Sequence, residues 1–327
     1  MPTVNVVVLG GTITMAPSPD GGITPSLSGE DLLAQIPGLK DVAKVVVTTP
    51  FLKPGASLEL EEIARLVDDI EGEGASAHDG TVFVQGTDTI DETSFLIDLL
   101  YSGEAPVVVT GAMRGAAALS ADGSANLFAA ISTAASESSR NMGALVVLND
   151  EIHSARTVEK MHKGLTSSFQ SPNGGPLGYV MENRVRFVRR PYTKPAQALK
   201  PSRYASVAIV KMGLGEGTAI LDALPGLGYE GAVIEAMGVG HVPANVVAAI
   251  ETLSKAMPVV LASRVIGGPS FSSTYGFPGS EIDLLRRGLL TCEWLSPHKA
   301  RLLLSATLGC GYDRPQIQEA FKVYGQP

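Results

Sequence analysis

The 327-residue sequence has little cysteine, no cluster of positive charge and no long apolar run. Its 2 cysteines, Cys292 and Cys310, are too few for a disulfide framework and lack the CxxC spacing of metal and redox sites. We therefore expect two reduced thiols. Apolar runs such as 6–9 and 106–109 fall far short of the roughly 20 residues that a membrane-spanning helix needs.

The net charge bears on the partners of the protein, and the amino terminus bears on its location. The 25 Lys and Arg residues stand against 33 Asp and Glu residues, for a net charge of −8. Nucleic-acid and anionic-membrane binders carry a basic surface, so we expect neither partner. Residues 1–5 lead directly into a strand-like segment without the basic and apolar regions of a signal peptide. We therefore expect a cytoplasmic protein; a mature form from which a signal peptide has been removed would show the same pattern.

Several catalytic and metal-binding signatures are also missing. The sequence contains no GxSxG, no HExxH, no GxxxxGK[ST] and no GxGxxG after a strand. The short segment Gly238-Val239-Gly240 lacks the third glycine and indicates a tight turn. The 5 histidines are His78, His153, His162, His241 and His298. They share no ligand-like spacing, so we expect no metal.

The composition that is present predicts a globular protein. Hydrophobic residues make up 45% and charged residues 18%, alongside 36 glycines and 21 prolines. These proportions exclude a disordered or fibrous chain and predict cores joined by many turns. At about 100 to 200 residues per domain, the length allows one large domain or, as we prefer, two.

In the first half, β-branched runs alternate with helix-like segments. Continuous apolar runs predict strands buried on both faces of a parallel sheet, at 4–9, 45–49, 81–84, 107–110 and 145–148. A hydrophobic period of about 3.6 predicts helices at 29–35, 60–70, 92–101 and 121–135. This alternation predicts an α/β domain with a doubly wound, mostly parallel sheet.

A proline-rich segment divides the chain. Three prolines from Pro191 to Pro201 stiffen it and forbid a helix, as expected of a connector. The alternation then resumes on a smaller scale, with strands predicted at 207–210, 231–234 and 259–262 and helices at 218–224 and 244–255. We predict a larger N-terminal domain over 1–190, a linker over 191–204 and a smaller C-terminal α/β domain over 205–327.

Two predicted strands end in similar threonine-containing segments. Gly11-Thr12-Ile13-Thr14 follows the first strand and Gly86-Thr87-Asp88-Thr89 follows the third. Ligands of open parallel sheets bind outside the carboxyl ends of the strands, so we expect both segments at the binding site. The double glycine before Thr12 would let a small substrate approach its hydroxyl. Taken alone, Thr12 is more readily explained as a strand or cap residue, because threonine suits both positions.

Thr87 and Asp88 allow two interpretations. Asp88 could cap the helix expected near Glu92, which taken alone is the commoner arrangement. Alternatively, the neighbouring hydroxyl and carboxylate could pair with a buried lysine, because burial lowers the pKa of a lysine toward that of a general base. Lys160 and Lys163 are equally eligible from spacing alone.

Together these segments resemble the bacterial-type L-asparaginases of the asparaginase/glutaminase family. Residues 8–13 and 85–93 are similar to the family's first and second threonine motifs. Further similar segments are 110–114, 120–123 and 175–179. The resemblance extends from Val4 to about Leu303, and the paired threonine motifs together with the lysine are highly specific.

The resemblance implies an architecture and an activity. It implies a larger N-terminal and a smaller C-terminal α/β domain, in a homodimer or homotetramer whose active sites lie between the N-terminal domain of one subunit and the C-terminal domain of another. The implied activity is that of a cofactor-free hydrolase in asparagine catabolism, which converts L-asparagine and water to L-aspartate and ammonia.

The resemblance also assigns catalytic residues. Thr12 corresponds to the nucleophile that attacks the side-chain amide and forms an acyl-enzyme. Thr87 corresponds to the second catalytic threonine and Lys160, after Ser154-Ala155-Arg156, to its proton-transfer partner. Asp88 corresponds to the carboxylate that holds the α-ammonium group of the substrate, a charge-assisted contact.

Substrate-binding residues follow from the same resemblance. The main chain of Ala112 corresponds to a contact with the amide end. Gly11 and Gly86, in the two threonine motifs, are assigned to substrate binding, and backbone donors near Thr87 would stabilise the oxyanion. Glu281 corresponds to a glutamate that a partner subunit contributes. Ser57 takes the place of the residue pair that binds the α-carboxylate in relatives.

The sequence departs from the family pattern at two further places. The loop at 19–25 lacks the tyrosine that helps to activate the nucleophile in many relatives, and Tyr275 is a candidate substitute. His241 stands where some periplasmic relatives have an asparagine that lines the site, a change that we expect to bear on substrate choice.

Three alternative functions use the same features. A glutaminase-asparaginase of broader specificity would differ only in pocket shape. An ammonia-releasing subunit of a tRNA-dependent amidotransferase would carry an additional N-terminal domain, for which the strand beginning at Val4 leaves no room. A non-catalytic protein that binds small amino acids would hold asparagine without releasing ammonia. The intact threonines and lysine favour L-asparaginase over this last alternative.

Overall fold

A computed structural model of the chain describes residues 1–17, 23–25, 28–34, 36–72, 77–191 and 198–327. These residues form two compact units, Met1–Ala198 and Leu199–Pro327. Each unit contains its own main sheet. The boundaries expected for the linker, 191–204, stay a prediction, and residues 192–197 lie outside the described part of the chain.

The first unit contains one large sheet and two small antiparallel ribbons. Its described strands are β1 (Thr3–Val8), β2 (Met15–Pro17), β3 (Ile23–Pro25), β4 (Lys44–Thr48), β5 (Gly80–Val84), β6 (Val107–Thr110), β7 (Ala144–Leu148), β8 (Glu151–Ser154), β9 (Glu159–Lys160), β10 (Phe169–Gln170), β11 (Gly178–Met181) and β12 (Arg184–Phe187). The large sheet has the order β12-β11-β8-β7-β6-β5-β1-β4, while β2 pairs with β3 and β9 with β10.

The parallel half of the large sheet agrees with the sequence pattern. Strands β4, β1, β5, β6 and β7 pair in parallel with their neighbours. Each of the five strands predicted in this half is present within one residue of its expected ends. Every residue of β5, β6 and β7 is buried, as their continuous apolar runs predict for strands covered on both faces.

The antiparallel half was not predicted from the sequence. Asn149 and Asp150 have positive φ angles of 54° and 61° and form the two-residue turn between β7 and β8. Glu182 and Asn183, with φ angles of 51° and 60°, form the corresponding turn between β11 and β12. Two positive φ angles match such a turn to the twist of antiparallel strands. The chain therefore reverses here instead of crossing over through a helix.

Helices cover both faces of this sheet. They are α1 (Gly29–Ala34), α2 (Leu60–Glu71), α3 (Ile90–Leu100) and α4 (Gly123–Ala134). A reciprocal capping box between Glu59 and Glu62 starts α2. Alternate residues of β1, including Val4 and Val6, share a core cluster with Leu127 of α4. The predicted end of α1, residue 35, lies outside the described residues.

The second unit repeats the strand-and-helix alternation on a smaller scale. Its strands are β13 (Val207–Lys211), β14 (Gly231–Ala236), β15 (Val259–Ser263) and β16 (Leu290–Thr291), paired in parallel in this order. Its helices are α5 (Ala219–Ala223), α6 (Val247–Ala256), α7 (Glu281–Arg286), α8 (Pro297–Gly309) and α9 (Arg314–Tyr324). The first three of these strands and the first two helices were predicted, whereas the later elements were not.

Local sequence accounts for the start of some of these helices. The predicted helix at 244–255 begins as a 3-10 turn, Ala244–Val246, before α6. Asp313 and Gln316 form a capping box at the start of α9. Within the described ranges, none of the helices is both long enough and apolar enough to span a bilayer.

Candidate active site

Strands β1 and β5 bring the two threonine-containing segments to the same edge of the large sheet. The strands are adjacent and parallel, and Val8 pairs with Val84. The N–H of Leu9 donates to the carbonyl of Val84 at 2.8 Å, which extends the pairing beyond the end of β1. Thr12 and Thr87 therefore both follow the carboxyl ends of neighbouring strands, where open parallel sheets bind ligands.

Glycines let the main chains of these segments touch. Gly11 has a φ angle of 91°, and a Cβ atom there would lie 2.2 Å from the main-chain nitrogen of Gly86. A Cβ atom on Gly55 would lie 2.8 Å from the carbonyl oxygen of Gly86. Because no side chain fits between them, direct backbone contact sets the separation of the segments that carry Thr12 and Thr87.

Lys160 joins the second threonine segment. Its Nζ donates to Thr87 Oγ1 at 2.9 Å and to Asp88 Oδ1 at 3.0 Å. Thr87 is 7% exposed and the Lys160 side chain 18%, whereas the Asp88 side chain is 68% exposed. The shielded hydroxyl is thus within proton-transfer distance of an amine, and the carboxylate remains open to a ligand from solvent.

This geometry resolves two questions that the sequence leaves open: whether Asp88 caps α3, and which lysine contacts Thr87. Thr89 is the N-cap residue of α3, so Asp88 does not cap it, and α3 begins at Ile90 rather than near Glu92. Lys163 is exposed and makes no hydrogen bond or ion pair with another described residue. Lys160 is therefore the lysine that meets Thr87.

Thr12 begins a short 3-10 turn, Thr12–Thr14, and is half-buried. The N–H and the hydroxyl of Thr14 both donate to the carbonyl of Gly11, at 3.0 and 2.8 Å. The Thr12 hydroxyl has no hydrogen-bond partner among the described residues. The turn therefore fixes the main chain while this hydroxyl stays available. Of the loop at 19–25 that lacks the family tyrosine, residues 19–22 lie outside the described part of the chain.

The loop after β6 is held by a carboxylate that sequence reasoning left without a role. Ala112, in this loop, is 1% exposed. Asp122 accepts the N–H of Met113 at Oδ2 and the N–H of Arg114 at Oδ1, each at 2.9 Å. Asp122 lies in the segment 120–123 that resembles the family, and this resemblance was the feature of the sequence that could have identified it as a site residue. Its carboxylate fixes the main chain beside Ala112.

Asn126 of α4 connects two strand ends and was also missed. Its Nδ2 donates to the carbonyl of Gly111 at 2.9 Å, and its Oδ1 accepts the N–H of Asn149 at 2.8 Å. Asn126 is 2% exposed. It therefore ties the loop after β6 to the turn after β7 from within the core.

Gln85, which follows the last residue of β5, links the end of that strand to α3 through its side chain. Its buried Nε2 lies 3.2 Å from the hydroxyls of Thr89 and Thr93, and the Thr89 hydroxyl donates to the carbonyl of Gly55 at 3.0 Å. Ser57 is exposed at the end of the 3-10 turn Gly55–Ser57, next to this contact. Ser57 is one of the residues assigned from the resemblance. Main-chain packing of Gly55 against Gly86 holds the turn that carries Ser57 near Gly86.

Glu281 lies in the second unit and is fully buried. Its Oε1 accepts the N–H groups of Thr274 and Tyr275, at 2.9 and 2.6 Å, and its Oε2 lies 3.2 Å from His241 Nε2. Burial alone would raise the pKa of Glu281, but hydrogen bonds from the N–H groups of Tyr275, Glu281 itself and Thr274, and from His241, outweigh it and lower that pKa. Glu281 is therefore a carboxylate engaged within its own unit.

His241 lies between the buried Glu281 and the solvent. Its ring packs edge-on against Tyr275 and Phe277, with centroid distances of 4.9 and 5.0 Å. The His241 side chain is 25% exposed and Tyr275 is 41% exposed. The second unit thus exposes an imidazole and an aromatic ring over a buried carboxylate.

Two domain families account for nearly the whole chain. Residues 3–193 match the N-terminal asparaginase domain, and residues 206–321 match the glutaminase/asparaginase C-terminal domain. The chain belongs to the asparaginase family. The family resemblance based on the threonine motifs is thereby confirmed, together with the expected fold class.

Relatives within the asparaginase family match along their full length. A probable L-asparaginase of Deinococcus radiodurans is 34% identical, over 98% of this chain and 97% of its own. A glutaminase-asparaginase of Pseudomonas aeruginosa is 32% identical, over 98% and 90%. The crystal structure of a probable cytoplasmic L-asparaginase from Campylobacter jejuni superposes with a TM-score of 0.87 at 30% identity, covering 98% of this chain and 99% of that one.

Proposed function

We propose that this protein is an L-asparaginase, which converts L-asparagine and water to L-aspartate and ammonia. The observation that carries the proposal is the contact of Lys160 Nζ with Thr87 and Asp88, beside the segment that holds Thr12. The full-length similarity to proteins named as asparaginases supports the same reaction.

In this reaction Thr12 is the nucleophile. Its hydroxyl oxygen attacks the carbon of the side-chain amide, the C–N bond breaks, and ammonia leaves with the hydroxyl proton. The aspartyl group remains on Thr12 as an ester. An alcohol is a weak nucleophile at its free pKa, so the site has to activate it. A substitute for the missing loop tyrosine is Tyr275, which packs on His241 in the second unit.

Thr87 and Lys160 form the proton-transfer pair. Their separation of 2.9 Å allows a proton to pass between the hydroxyl and the amine. We assign this pair to the activation of the water that hydrolyses the ester, which releases aspartate and restores the hydroxyl of Thr12.

Substrate recognition is shared by the loops around the sheet edge. The exposed carboxylate of Asp88 binds the α-ammonium group, and Ser57 binds the α-carboxylate. The main chain of Ala112 contacts the amide end. Gly11 and Gly86 hold the two threonine segments close to the substrate, and N–H groups near Thr87 stabilise the oxyanion.

We also propose the assembly and location that the resemblance implies. The protein is a cytoplasmic homodimer or homotetramer, divided into domains at 1–190 and 205–327, with active sites between subunits. Glu281 is the contribution of the C-terminal domain. Because Glu281 is buried and its oxygens accept hydrogen bonds within its unit, it acts through the exposed face of His241.

Ammonia release from L-asparagine tests the function. Purified protein and the variant Thr12→Ala are compared at equal concentration, and we expect release by the wild type only. Equal release by both would contradict the role of Thr12. Binding of asparagine with no release by the wild type would favour a non-catalytic binding protein.

A glutaminase-asparaginase is the second candidate, favoured by the similarity to the Pseudomonas aeruginosa protein of that name. The same assay with L-glutamine separates the two. We expect a kcat/KM for asparagine at least tenfold above that for glutamine, and comparable values would establish the broader specificity.

A further inference from the structure

We propose that Asp91 is a positioning residue for Lys160. Its carboxylate holds the main chain of Lys160 against α3, so that the side-chain amine reaches Thr87. This inference rests on the proposed function, because that function gives Lys160 its role in proton transfer.

Helix α3 carries two buried aspartates on one face. Asp91 and Asp98 are 7% and 5% exposed, in a helix whose other residues are almost all buried. Seven residues make about two helical turns, so both carboxylates lie on the same side. A buried carboxylate is costly unless it is hydrogen-bonded, and the partners of these two therefore indicate what they hold.

Asp98 anchors the segment that leads to Lys160. Its Oδ2 accepts Arg156 Nε at 2.8 Å, and its Oδ1 accepts the N–H of Ala144 at 2.9 Å. Both side chains of the ion pair are 4% exposed. Removing one partner of such a pair leaves an uncompensated buried charge, which strongly destabilises a fold. Asp98 is thus an anchor of the unit and a poor probe of catalysis.

Asp91 holds Lys160 itself. Its Oδ2 accepts the main-chain N–H of Lys160 at 3.1 Å, and its Oδ1 accepts the N–H of Glu92 at 3.1 Å. The contact is with the main chain of Lys160, while Lys160 Nζ extends to Thr87 and Asp88. Asp91 therefore fixes the point from which the lysine side chain starts.

The same helix also fixes the partners of that side chain. Thr87 and Asp88 precede Thr89, the N-cap residue of α3, which begins at Ile90. The hydroxyl, the carboxylate and the lysine main chain are therefore all attached to the first turn of one helix. Displacements of about 1 Å can lower turnover by about a hundredfold, so loss of this attachment should be measurable in kcat.

The test compares Asp91→Leu with Asp91→Asn, two variants of similar size that both lack the charge. Only the asparagine variant keeps an oxygen that accepts the N–H of Lys160. Both constants are measured from ammonia release. We expect the kcat of Asp91→Leu to be at least tenfold lower than that of wild type, with a KM within about twofold of wild type. Asp91→Asn should retain most of the wild-type kcat. Wild-type kcat in Asp91→Leu, equal losses in both variants, or a change confined to KM would overturn the proposal.

A double variant, and a second substitution of Asp91, separate positioning from stability. In a Lys160→Met background, Asp91→Leu should cause no further loss of residual turnover, and a further loss would overturn the proposal. If Asp91→Leu does not fold, Asp91→Ala is compared in the same way. Failure of both to fold would assign Asp91 to stability and overturn the proposal.

The wild-type control separates this inference from the proposed function. No ammonia from wild-type protein would contradict the function itself. An active wild type with an equally active Asp91→Leu variant would contradict only the positioning role.

Discussion

The amine of Lys160 lies 2.9 Å from the hydroxyl of Thr87, although 73 positions separate the two residues in the sequence. Thr87 follows β5, whereas Lys160 ends the two-residue strand β9. Three residues after Lys160, the side chain of Lys163 is exposed. The fold thus distinguishes two lysines that are equivalent by sequence spacing.

Replacing these two lysines gives the first prediction. Lys160→Met removes the amine that contacts Thr87, which the proposed function makes its proton-transfer partner, and we expect kcat for ammonia release to fall by about a hundredfold or more. Lys163→Met serves as the matched control and should stay within about twofold of wild type, because Lys163 is exposed and forms no hydrogen bond or ion pair with another described residue. Comparable losses in both variants would show that the wrong lysine had been assigned.

Contact between glycine main chains gives the second prediction. In Gly11→Ala the new Cβ would lie 2.2 Å from the Gly86 nitrogen, so the segments of Thr12 and Thr87 must separate. We expect most activity to be lost and the urea midpoint to fall. Gly38→Ala is the control, because Gly38 has a φ angle of 75° but open space around the added atom.

The control isolates backbone strain from the steric clash. Gly38→Ala should cost about 1 to 2 kcal/mol in the free energy of unfolding and leave kcat unchanged. A Gly11→Ala variant that behaves like Gly38→Ala in both measurements would rule out the proposed contact.

Asn126 gives the third prediction. Asn126→Leu leaves the buried carbonyl of Gly111 and the N–H of Asn149 without their partner, at about 1 to 3 kcal/mol for each group. We expect the free energy of unfolding from urea titration to fall accordingly and KM for asparagine to rise as the loop after β6 loosens. Asn245→Ala removes an exposed hydrogen bond to Glu216 and should change stability by less than about 1 kcal/mol. An equal, small effect of both variants would argue against a bridging role.

The lowered pKa of Glu281 gives the fourth prediction. A carboxyl whose pKa is lower in the folded than in the unfolded state stabilises the fold above its ordinary pKa, about 4.3 for glutamate. This stabilisation is lost as the pH falls through the lower, folded pKa. Glu281→Gln should therefore be less stable than wild type at pH 7, and the difference should shrink below about pH 4.

Glu293 provides a control of opposite sign in the same unit. Burial raises the pKa of Glu293, more than the charge of Lys322 lowers it, so its ionised form is disfavoured in the fold. Glu293→Gln should gain stability relative to wild type as the pH rises above about 4.3. Chemical denaturation from pH 3 to 7 follows both variants, and parallel curves for Glu281→Gln and Glu293→Gln would contradict the assigned environments.

The parallel strands and the threonine segments were predictable because their signals are local. Continuous apolar runs marked β5, β6 and β7, and each threonine segment follows its strand directly. The strands beyond β7 are short, and their turns at Asn149-Asp150 and Glu182-Asn183 lack the glycine that usually signals a hairpin. The sequence pattern therefore missed the antiparallel half of the sheet.

The supporting residues of the site were not predictable for a different reason. Asp91 acts on a main-chain N–H group 69 residues away, and every residue except proline offers such a group. At the two strand ends, Asn126 likewise bonds to main-chain groups, the carbonyl of Gly111 and the N–H of Asn149. The burial of Glu281 depends on a loop folding over it, which residue identity alone does not indicate.

The backbone contact between Gly11, Gly55 and Gly86 also limits how this protein can change. This spacing is set by main-chain contact, so exchanging one side chain for another cannot adjust it. Substitution of any of these glycines should therefore lower activity or stability. New substrate preferences have to arise in side chains next to these glycines within the first unit, such as Ser57. A library for altered specificity should therefore hold the three glycines constant and diversify their neighbours.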